Sequence, residues 1–255
     1  MEENNNLFIE KIFANKLYTN RDIYRIRVAR KAEFAWKVSY KYSDLFISSS
    51  RDISSFIPGK IIDFYNIIEK EIKENPDFEK SLVPLKNASC SNRLLAEMNE
   101  ASRIFNVGPM AAVAGSLCEF ISRDIQKDTR YLIIENGGDV FVKSNKDIVL
   151  SVFLKNNYFK NGLKLKIDKK LLPCGIASSS GTFGHSLSLG RCDIALVVAR
   201  NAVIADAAAT AFANSVKSKT DLEEAVNRMK DREGIFGLLA VKEEMLAIYG
   251  QISLI

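Results

Sequence analysis

The chain has 255 residues, 47% of them hydrophobic, so it can bury a sizeable core as one domain or as two joined halves. Its 36 basic and 31 acidic residues give a net charge of +5, and the basic residues are scattered, which argues against nucleic-acid binding. Four widely spaced cysteines without a C-x-x-C pair favour reduced thiols in a cytoplasm. No basic n-region opens the sequence, and the longest small apolar run, 107–120, is too interrupted to span a bilayer, so we expect no membrane segment.

The first half of the sequence predicts strands followed by three helices. Apolar and polar residues alternate within residues 23–48, which is typical of strands with one solvated face. Apolar residues then recur at helical spacing over residues 58–75, where Asn-Pro ends the pattern. Two more helices are predicted, one over residues 92–105 and one rich in small residues over residues 108–124.

The second half alternates with period two and predicts mostly strands. Asn201 is a plausible N-cap for an alanine-rich helix over residues 201–216, and Thr220 with Glu223 has capping-box spacing for another helix. Strands are expected over residues 131–135, 139–143, 148–154, 163–167, 173–177, 192–199, 236–241 and 246–255. The sequence therefore predicts an α+β fold, and any boundary between two halves is expected near residues 127–130.

The first candidate functional segment surrounds Gly108 and runs over residues 106–115. Glycine and proline directly before a helix leave the first-turn amides free, and a helix N-terminus attracts phosphate or carboxylate. The segment therefore offers Gly108 and Met110 to a ligand. An ordinary helix start, closely packed through its alanines, explains the same pattern.

The second candidate segment is Asn136-Gly137-Gly138-Asp139. Asn-Gly between two apolar runs is a strong hairpin signal, because type I′ turns need positive φ at both central residues. A hairpin is sufficient to explain the pattern. A binding site would add that the two glycines let a ligand touch the backbone, with the Asn136 amide and the Asp139 carboxylate beside it.

The third candidate segment is a loop that contains the single histidine of the chain, His185. Hydroxyl groups and glycines crowd together before this histidine, which favours an anion nest or a nucleotide clamp. A serine-rich surface loop without a function is the alternative. The residues that would touch a ligand are Ser178, Ser179, Ser180, Gly181 and Thr182.

The fourth candidate segment contains Asp206 and Thr210. The two residues are four apart on a predicted helix and therefore share a face, where a carboxylate and a hydroxyl suit a hard cation such as Mg²⁺. Alternatively, Asp206 is a surface residue and Thr210 bonds back to its own helix. No zinc-like cluster of His and Cys occurs in the sequence, and one histidine leaves little for a catalytic triad.

Taken in this order, the four segments resemble the motif series of ApbE-type FAD:protein FMN transferases. The matching stretches are residues 108–111, 136–139, 178–185 and 205–210. The sequence is still more similar to a short, poorly characterised branch of the ApbE-like superfamily, over nearly the whole chain. The resemblance implies one ApbE-like unit built of two T-fold-like α+β halves, 1–129 and 130–255, with mainly antiparallel sheets packed against helices.

The resemblance also implies chemistry. In the transferases, the equivalents of Asp206, Thr210 and the carbonyl of Ala111 hold Mg²⁺ against the diphosphate of FAD. A protein threonine then attacks the phosphoryl group, and AMP leaves. If the chain works on FAD or FMN, we expect His185 to border the ligand and to assist proton transfer or neutralise phosphate charge.

The sequence departs from the transferases at three places, so the resemblance supports flavin binding more strongly than flavin transfer. Ala112 and Val113 stand where those enzymes have lysine and glycine, Asn106 stands at an acidic position, and residues 186–190 replace a Pro-x-Thr-Gly element. Relatives of the short branch are associated with sulfide incorporation into homocysteine. The alternative is therefore a cytoplasmic accessory protein of sulfur assimilation that binds a nucleotide or a partner protein in the same cleft without transfer. Both a monomer and a homo-oligomer are compatible with the sequence.

The cysteines give one further expectation. Cys174 and Cys192 lie on the strands that flank the serine loop, and we expect both to stay reduced and to fill core. Either could still lie near enough to the cleft to handle sulfur.

Overall fold

The computed structural model describes residues 7–11, 32–86, 92–154, 157–181 and 190–255. Its α-helices are α1 (Ile57–Glu74), α2 (Asp77–Lys80), α3 (Arg93–Phe105), α4 (Val113–Ile125), α5 (Ala202–Ser215) and α6 (Leu222–Met229). Its strands are β1 (Phe8–Lys11), β2 (Phe34–Tyr40), β3 (Ser43–Ser49), β4 (Leu132–Asn136), β5 (Asp139–Lys143), β6 (Ile148–Val152), β7 (Leu163–Ile167), β8 (Cys174–Ser179), β9 (Ile194–Ala199), β10 (Ile235–Lys242), β11 (Met245–Gly250) and β12 (Ile252–Leu254). The strands predicted within residues 23–31 lie outside the described residues.

The strands form two antiparallel sheets. The larger has nine strands in the order β1-β2-β3-β4-β5-β8-β9-β10-β11, and the smaller has three in the order β12-β7-β6. Every pair of neighbouring strands is antiparallel. The predicted α+β fold with mainly antiparallel sheets packed against helices is confirmed.

The two faces of the large sheet are covered by different layers. Ala195 and Val197 of β9 pack with the helices, whereas Leu196 and Val198 pack with the small sheet. Because successive side chains of a strand point to opposite faces, β9 can be apolar throughout and still be buried on both sides. Of the serine segment, Ser179 pairs with Ala195 and lies on the helical face, whereas Ser178 pairs with Leu196 and lies on the face of the small sheet.

Helix α5 lies against β8 and β9 and is flanked by α3 and α4. Its residues 202–209 are all buried, so small side chains are needed all round the helix. A Cβ atom on Gly115 of α4 would lie 2.2 Å from the carbonyl oxygen of Ala202, and one on Gly175 would lie 2.3 Å from its amide nitrogen. Two glycines therefore allow a helix and a strand to approach α5 closely.

Some local predictions need revision. Asn201 caps α5 as predicted, because its Oδ1 accepts a hydrogen bond from Ile204 N at 2.9 Å. The capping box predicted at Thr220 and Glu223 is wrong. Ser218 and Asp221 form it two residues earlier, with Asp221 Oδ2 accepting from Ser218 N at 2.8 Å. The last predicted strand is divided at Gly250, whose φ of 91° turns the chain from β11 into β12.

The division into halves near residues 127–130 stays a prediction. Pairing of β3 with β4 joins the strands on either side of that point into one sheet. Within the described segments no single helix has the length and apolar composition to cross a membrane; α3 and residues 109–128 reach it only as a pair bent by 105°.

Candidate functional site

The structure brings the first, second and fourth candidate segments together on the helical face near one end of the large sheet, and the third segment adjoins them at the end of β8. Asp206 of α5 accepts a hydrogen bond from Gly115 N at the start of α4. The turn between β4 and β5 meets the end of β8, since a Cβ on Gly138 would lie 2.9 Å from Ser178 Oγ. Cys118 of α4 joins the turn to the helices through a hydrogen bond from its Sγ to the Asp139 carbonyl, at 3.4 Å.

Helices α4 and α5 cap one another. Gly115 N donates to Asp206 Oδ2 at 2.8 Å, and Ala202 N donates to Glu119 Oε2 at 3.1 Å. The first-turn amides of a helix have no partner within the helix, and a carboxylate there is stabilised by the helix dipole. Each helix thus supplies a carboxylate to the first turn of the other, which fixes Asp206 at the start of α4.

Burial dominates the electrostatics of this region. Burial raises the pKa of Asp206 to about 7, although hydrogen bonds from the Gly115 and Ala114 amides lower it. The pKa of Asp139 is raised well above its ordinary value, first by burial and then by the negative charges of Asp206 and Glu135. Asp139 and Asp206 form an acidic cluster whose charged forms are costly without a cation.

One atom of the acidic cluster has no hydrogen-bond partner among the described residues. Asp139 Oδ1 is buried and unsatisfied, although the Asp139 backbone carbonyl is bonded to Cys118. A buried polar atom without a partner costs about 1–3 kcal/mol, more when it is charged. The unsatisfied oxygen of Asp139 therefore indicates a position for a cation, a water molecule or a ligand donor.

The turn at the second segment is built from Gly137 and Gly138, whose φ angles are 67° and 123°. Asn136 pairs with Asp139 across the turn, so the predicted hairpin is confirmed but its central pair is Gly-Gly rather than Asn-Gly. Gly137 is exposed and no heavy atom lies within 4 Å of the position of a Cβ there. A ligand can therefore reach the backbone of this turn directly.

The third segment is described only in part. Ser179 is buried, Ser178 and Ser180 are half-buried, and Gly181 N donates to the Cys192 carbonyl at 2.9 Å. Thr182 and His185 lie outside the described residues, so the predicted ligand contacts of both stay predictions.

The remaining predicted ligands sit around the start of α4. Met110 and Ala111 are half-buried in a 3-10 turn, Pro109–Ala112, that packs against α5, and Thr210 is half-buried on α5 itself. Gly108 is a packing position: a Cβ there would lie 1.8 Å from the Ser81 carbonyl oxygen. The structure thus places Asp206 at the predicted helix start, while cation binding by Asp206, Thr210 and the Ala111 carbonyl stays a prediction.

Within the described ranges, no three His, Cys, Asp or Glu side chains converge as a metal-binding group. A cage made wholly of protein side chains is therefore not present in this part of the chain. Mg²⁺ is usually held by one or two carboxylates together with water and substrate phosphates. The acidic cluster, with its unsatisfied Asp139 oxygen, fits that second kind of site.

Sequence reasoning missed Cys118, Glu119 and Glu135. Glu119 was detectable, because it lies four residues after Gly115 on the same helix face. Glu135 was less so, since it pairs with Val140 on the face of β4 that is turned away from the helices, and its burial depends on what covers that face. The contact of Cys118 with Asp139 depends on the packing of α4 against β5, which local sequence patterns do not encode.

Three cysteines are free and buried: Cys118, Cys174 and Cys192. Cys90 lies outside the described residues. Burial raises the pKa of Cys174 and of Cys192 to about 12. Burial and the negative charges of nearby carboxylates, Asp139 first, raise the pKa of Cys118 well above its ordinary value. The expectation that Cys174 and Cys192 fill core is confirmed.

We expect these three thiols to resist alkylation in the native protein. The thiolate is the reactive form, and burial suppresses both its formation and reagent access. Mass spectrometry after brief iodoacetamide treatment checks this, with a denatured sample as the control in which all the cysteines react. Selective labelling of Cys118, Cys174 or Cys192 in the folded protein would contradict it.

Comparison with known proteins places the chain in a family. The family described as "AbpE bacteria" matches residues 26–234. The chain belongs to this family. A UPF0280 protein of Methanothrix thermoacetophila is 33% identical over 211 residues, which is 81% of this chain and 87% of the relative. A UPF0280 protein of Methanococcus vannielii is 35% identical over 213 residues, 80% of this chain and 86% of the relative. The ApbE-like resemblance of the motifs is thereby confirmed.

Among solved structures, the ApbE protein of Thermotoga maritima gives a TM-score of 0.47 at 13% identity, covering 84% of this chain and 94% of that one. The flavinyl transferase ApbE of Pseudomonas stutzeri gives 0.46 at 10% identity, covering 81% and 90%.

Proposed function

We propose that this family member binds a flavin nucleotide with Mg²⁺ at the acidic cluster and transfers FMN from FAD to a threonine hydroxyl of an acceptor protein. The observation that carries the proposal is the buried, unsatisfied Asp139 Oδ1 beside Asp206, at the start of α4. Membership of the AbpE family and the ApbE-like order of the motifs supply the substrate class.

The acidic cluster suits a cation shared with phosphate. Two carboxylates with raised pKa values lie at one place, and their mutual repulsion is relieved when a positive charge binds between them. Asp206 Oδ2 is already occupied by Gly115 N, so Asp206 would offer its other oxygen, with Thr210 and the Ala111 carbonyl as further ligands. Bound Mg²⁺ would neutralise the charge of the diphosphate.

The backbone around the cluster suits the rest of a dinucleotide. The glycine turn is exposed at Gly137, and the neighbouring end of β8 carries Ser179 on the helical face and Ser180 directly after the strand. Such groups bind phosphate and sugar oxygens without adding charge. The chain would thus hold and orient the flavin nucleotide so that the phosphoryl group faces the acceptor hydroxyl.

The proposed reaction is a phosphoryl transfer. The threonine oxygen of the acceptor forms a bond to the phosphorus of the FMN half, and the bond between that phosphorus and the bridging oxygen breaks. AMP leaves with the electron pair, and the proton of the threonine hydroxyl passes to a base, for which His185 remains the candidate.

The deciding experiment incubates the protein with FAD, Mg²⁺ and a threonine-containing acceptor, and measures AMP and covalently flavinylated acceptor. We expect both products in equal amounts, and a loss of about a hundredfold or more in rate for Asp206→Asn, because one charged ligand is removed. Asp63→Asn, at an exposed position of α1, is the matched control and should leave the rate unchanged.

Two results would contradict transfer. FAD that binds and is returned intact, with neither AMP nor flavinylated acceptor, supports the accessory-protein alternative. Absence of measurable flavin binding to the native protein would overturn the ligand class as well.

A further inference from the structure

The large sheet ends at β11, an edge strand without the charged residues or proline that usually prevent pairing with another strand. It pairs with β10, and the sheet order places no strand beyond it within the described residues. Its sequence, Met-Leu-Ala-Ile-Tyr-Gly, contains neither charge nor proline, whereas β1 at the other end carries Glu10 and Lys11. Proteins usually block free edges with charged residues, proline or bulges. An edge without these features indicates that another strand pairs with it.

Exposed apolar side chains concentrate around this edge. The described residues include thirteen large hydrophobic side chains that are exposed, and five of them fall within residues 245–255. Three of the five lie on β11 itself and two lie in or directly after β12. Grouped exposed apolar residues mark an interaction surface more often than scattered single residues do. The five are Met245, Ile248, Tyr249, Leu254 and Ile255.

The helix beside the edge has a charge pattern that suits a second copy of itself. Helix α6 packs over β10 and β11, while α5 lies over β8 and β9. Glu224 and Arg228 line a groove shared with Asn214 of α5, so they mark the α5 side of α6. The opposite side of α6 therefore faces outward over the β11 edge.

That side carries Glu223 near its start and Lys230 just past its end, with Val226, half-buried against the core, between them at spacings of three and four residues. The backbone of Lys230 is still helical, and its amide donates to the Val226 carbonyl. An acidic end, an apolar centre and a basic end are self-complementary when two copies lie antiparallel. A twofold axis through such a surface pairs the same patch with itself.

We propose that β11 pairs antiparallel with β11 of a second copy, which joins the two nine-stranded sheets into one and gives a twofold-symmetric dimer. In this dimer α6 lies antiparallel to its copy, so Glu223 meets Lys230 of the partner subunit at two symmetric places. Ile248, Tyr249 and Met245 are covered, and the exposed backbone groups of β11 gain hydrogen-bond partners.

Sedimentation of the full-length protein over about a hundredfold range of concentration tests the dimer. We expect a dimer for the native protein and a dissociation constant at least about tenfold higher for Ile248→Lys and for Tyr249→Lys, because charge is placed in the covered edge. Tyr42→Lys is the matched control: Tyr42 is 81% exposed on the distant turn between β2 and β3, and its substitution should leave the dimer intact. Circular dichroism confirms that each variant is folded.

A charge swap tests the orientation. Glu223→Lys and Lys230→Glu should each weaken the dimer by roughly three- to tenfold, because each places like charges together at two sites. The double variant should restore the native dissociation constant. A native protein that is monomeric throughout the range overturns the proposal, as does a dimer that Ile248→Lys and Tyr249→Lys leave unchanged or a double variant that is no better than the singles.

Discussion

Gly115→Ala is expected to lower the free energy of unfolding by roughly 3 kcal/mol or more. The added methyl group would lie 2.2 Å from the carbonyl oxygen of Ala202 and 2.8 Å from the Asp206 Cβ, both on a buried helix. Helix α5 cannot retreat, because β8 packs against its other side and Gly175 already approaches Ala202 as closely. The substitution therefore also displaces the Asp206 carboxylate from the Gly115 amide.

The matched control is Gly59→Ala. Gly59 also lies inside a helix, α1, but no heavy atom lies within 4 Å of the position of its Cβ. Alanine there should raise stability by about 0.5–1 kcal/mol, since it restricts the unfolded chain and favours the helix. Urea unfolding of both variants measures the difference. Equal stability changes at the two positions would mean that α4 and α5 do not pack as closely as described.

The elements of this fold could be predicted from sequence where the pattern is local. Period-two alternation identified β4, β5 and β7, and Asn201, a residue type that favours the N-cap position, predicted the start of α5. The capping box was misplaced because Ser218 and Thr220 both offer a hydroxyl, and only the position of Asp221 against the Ser218 amide decides between them. Local patterns thus identify elements better than they identify which residue ends them.

The site was harder to predict, because it depends on contacts between distant elements. Asp206 and Gly115 are 91 residues apart, and nothing in either segment shows that the amide of one meets the carboxylate of the other. The motif resemblance selected the right segments, yet it did not include Glu119, which supports α5 from α4. Residues that hold a site together from a neighbouring helix are visible only after the helices are packed.

The acidic cluster should make stability fall as pH rises, in the absence of divalent cations. The pKa of Asp206 is about 7 in the folded protein, against about 3.9 for an unperturbed aspartate. Between these two pH values Asp206 holds a proton in the folded state that it has lost in the unfolded state. Its contribution to the free energy of unfolding is therefore full below pH 4 and is lost as pH rises towards 7. The pKa of Asp139 shifts in the same direction, and the negative charge of Glu135 adds to that shift.

Asp206→Asn isolates this effect. The neutral amide removes the titration, keeps an acceptor for the Gly115 amide, and relieves the charge that raises the pKa of Asp139. In EDTA, we expect the variant to gain roughly 1–3 kcal/mol relative to the native protein between pH 5 and pH 8, measured by urea unfolding at each pH. Asp63→Asn, an exposed substitution, should show no such gain.

Mg²⁺ should reverse the loss of stability at high pH in the native protein but not in Asp206→Asn. The ion binds the deprotonated carboxylates, so its affinity should tighten from pH 6 to pH 8 and its binding should release protons near pH 6. Calorimetry in two buffers of different ionisation enthalpy measures the protons released, and urea unfolding with and without Mg²⁺ measures the stabilisation. Two results would show that Asp206 is charged and satisfied without a cation. One is a native protein that gains stability from pH 5 to pH 8 relative to Asp206→Asn. The other is an equal stabilisation of both proteins by Mg²⁺.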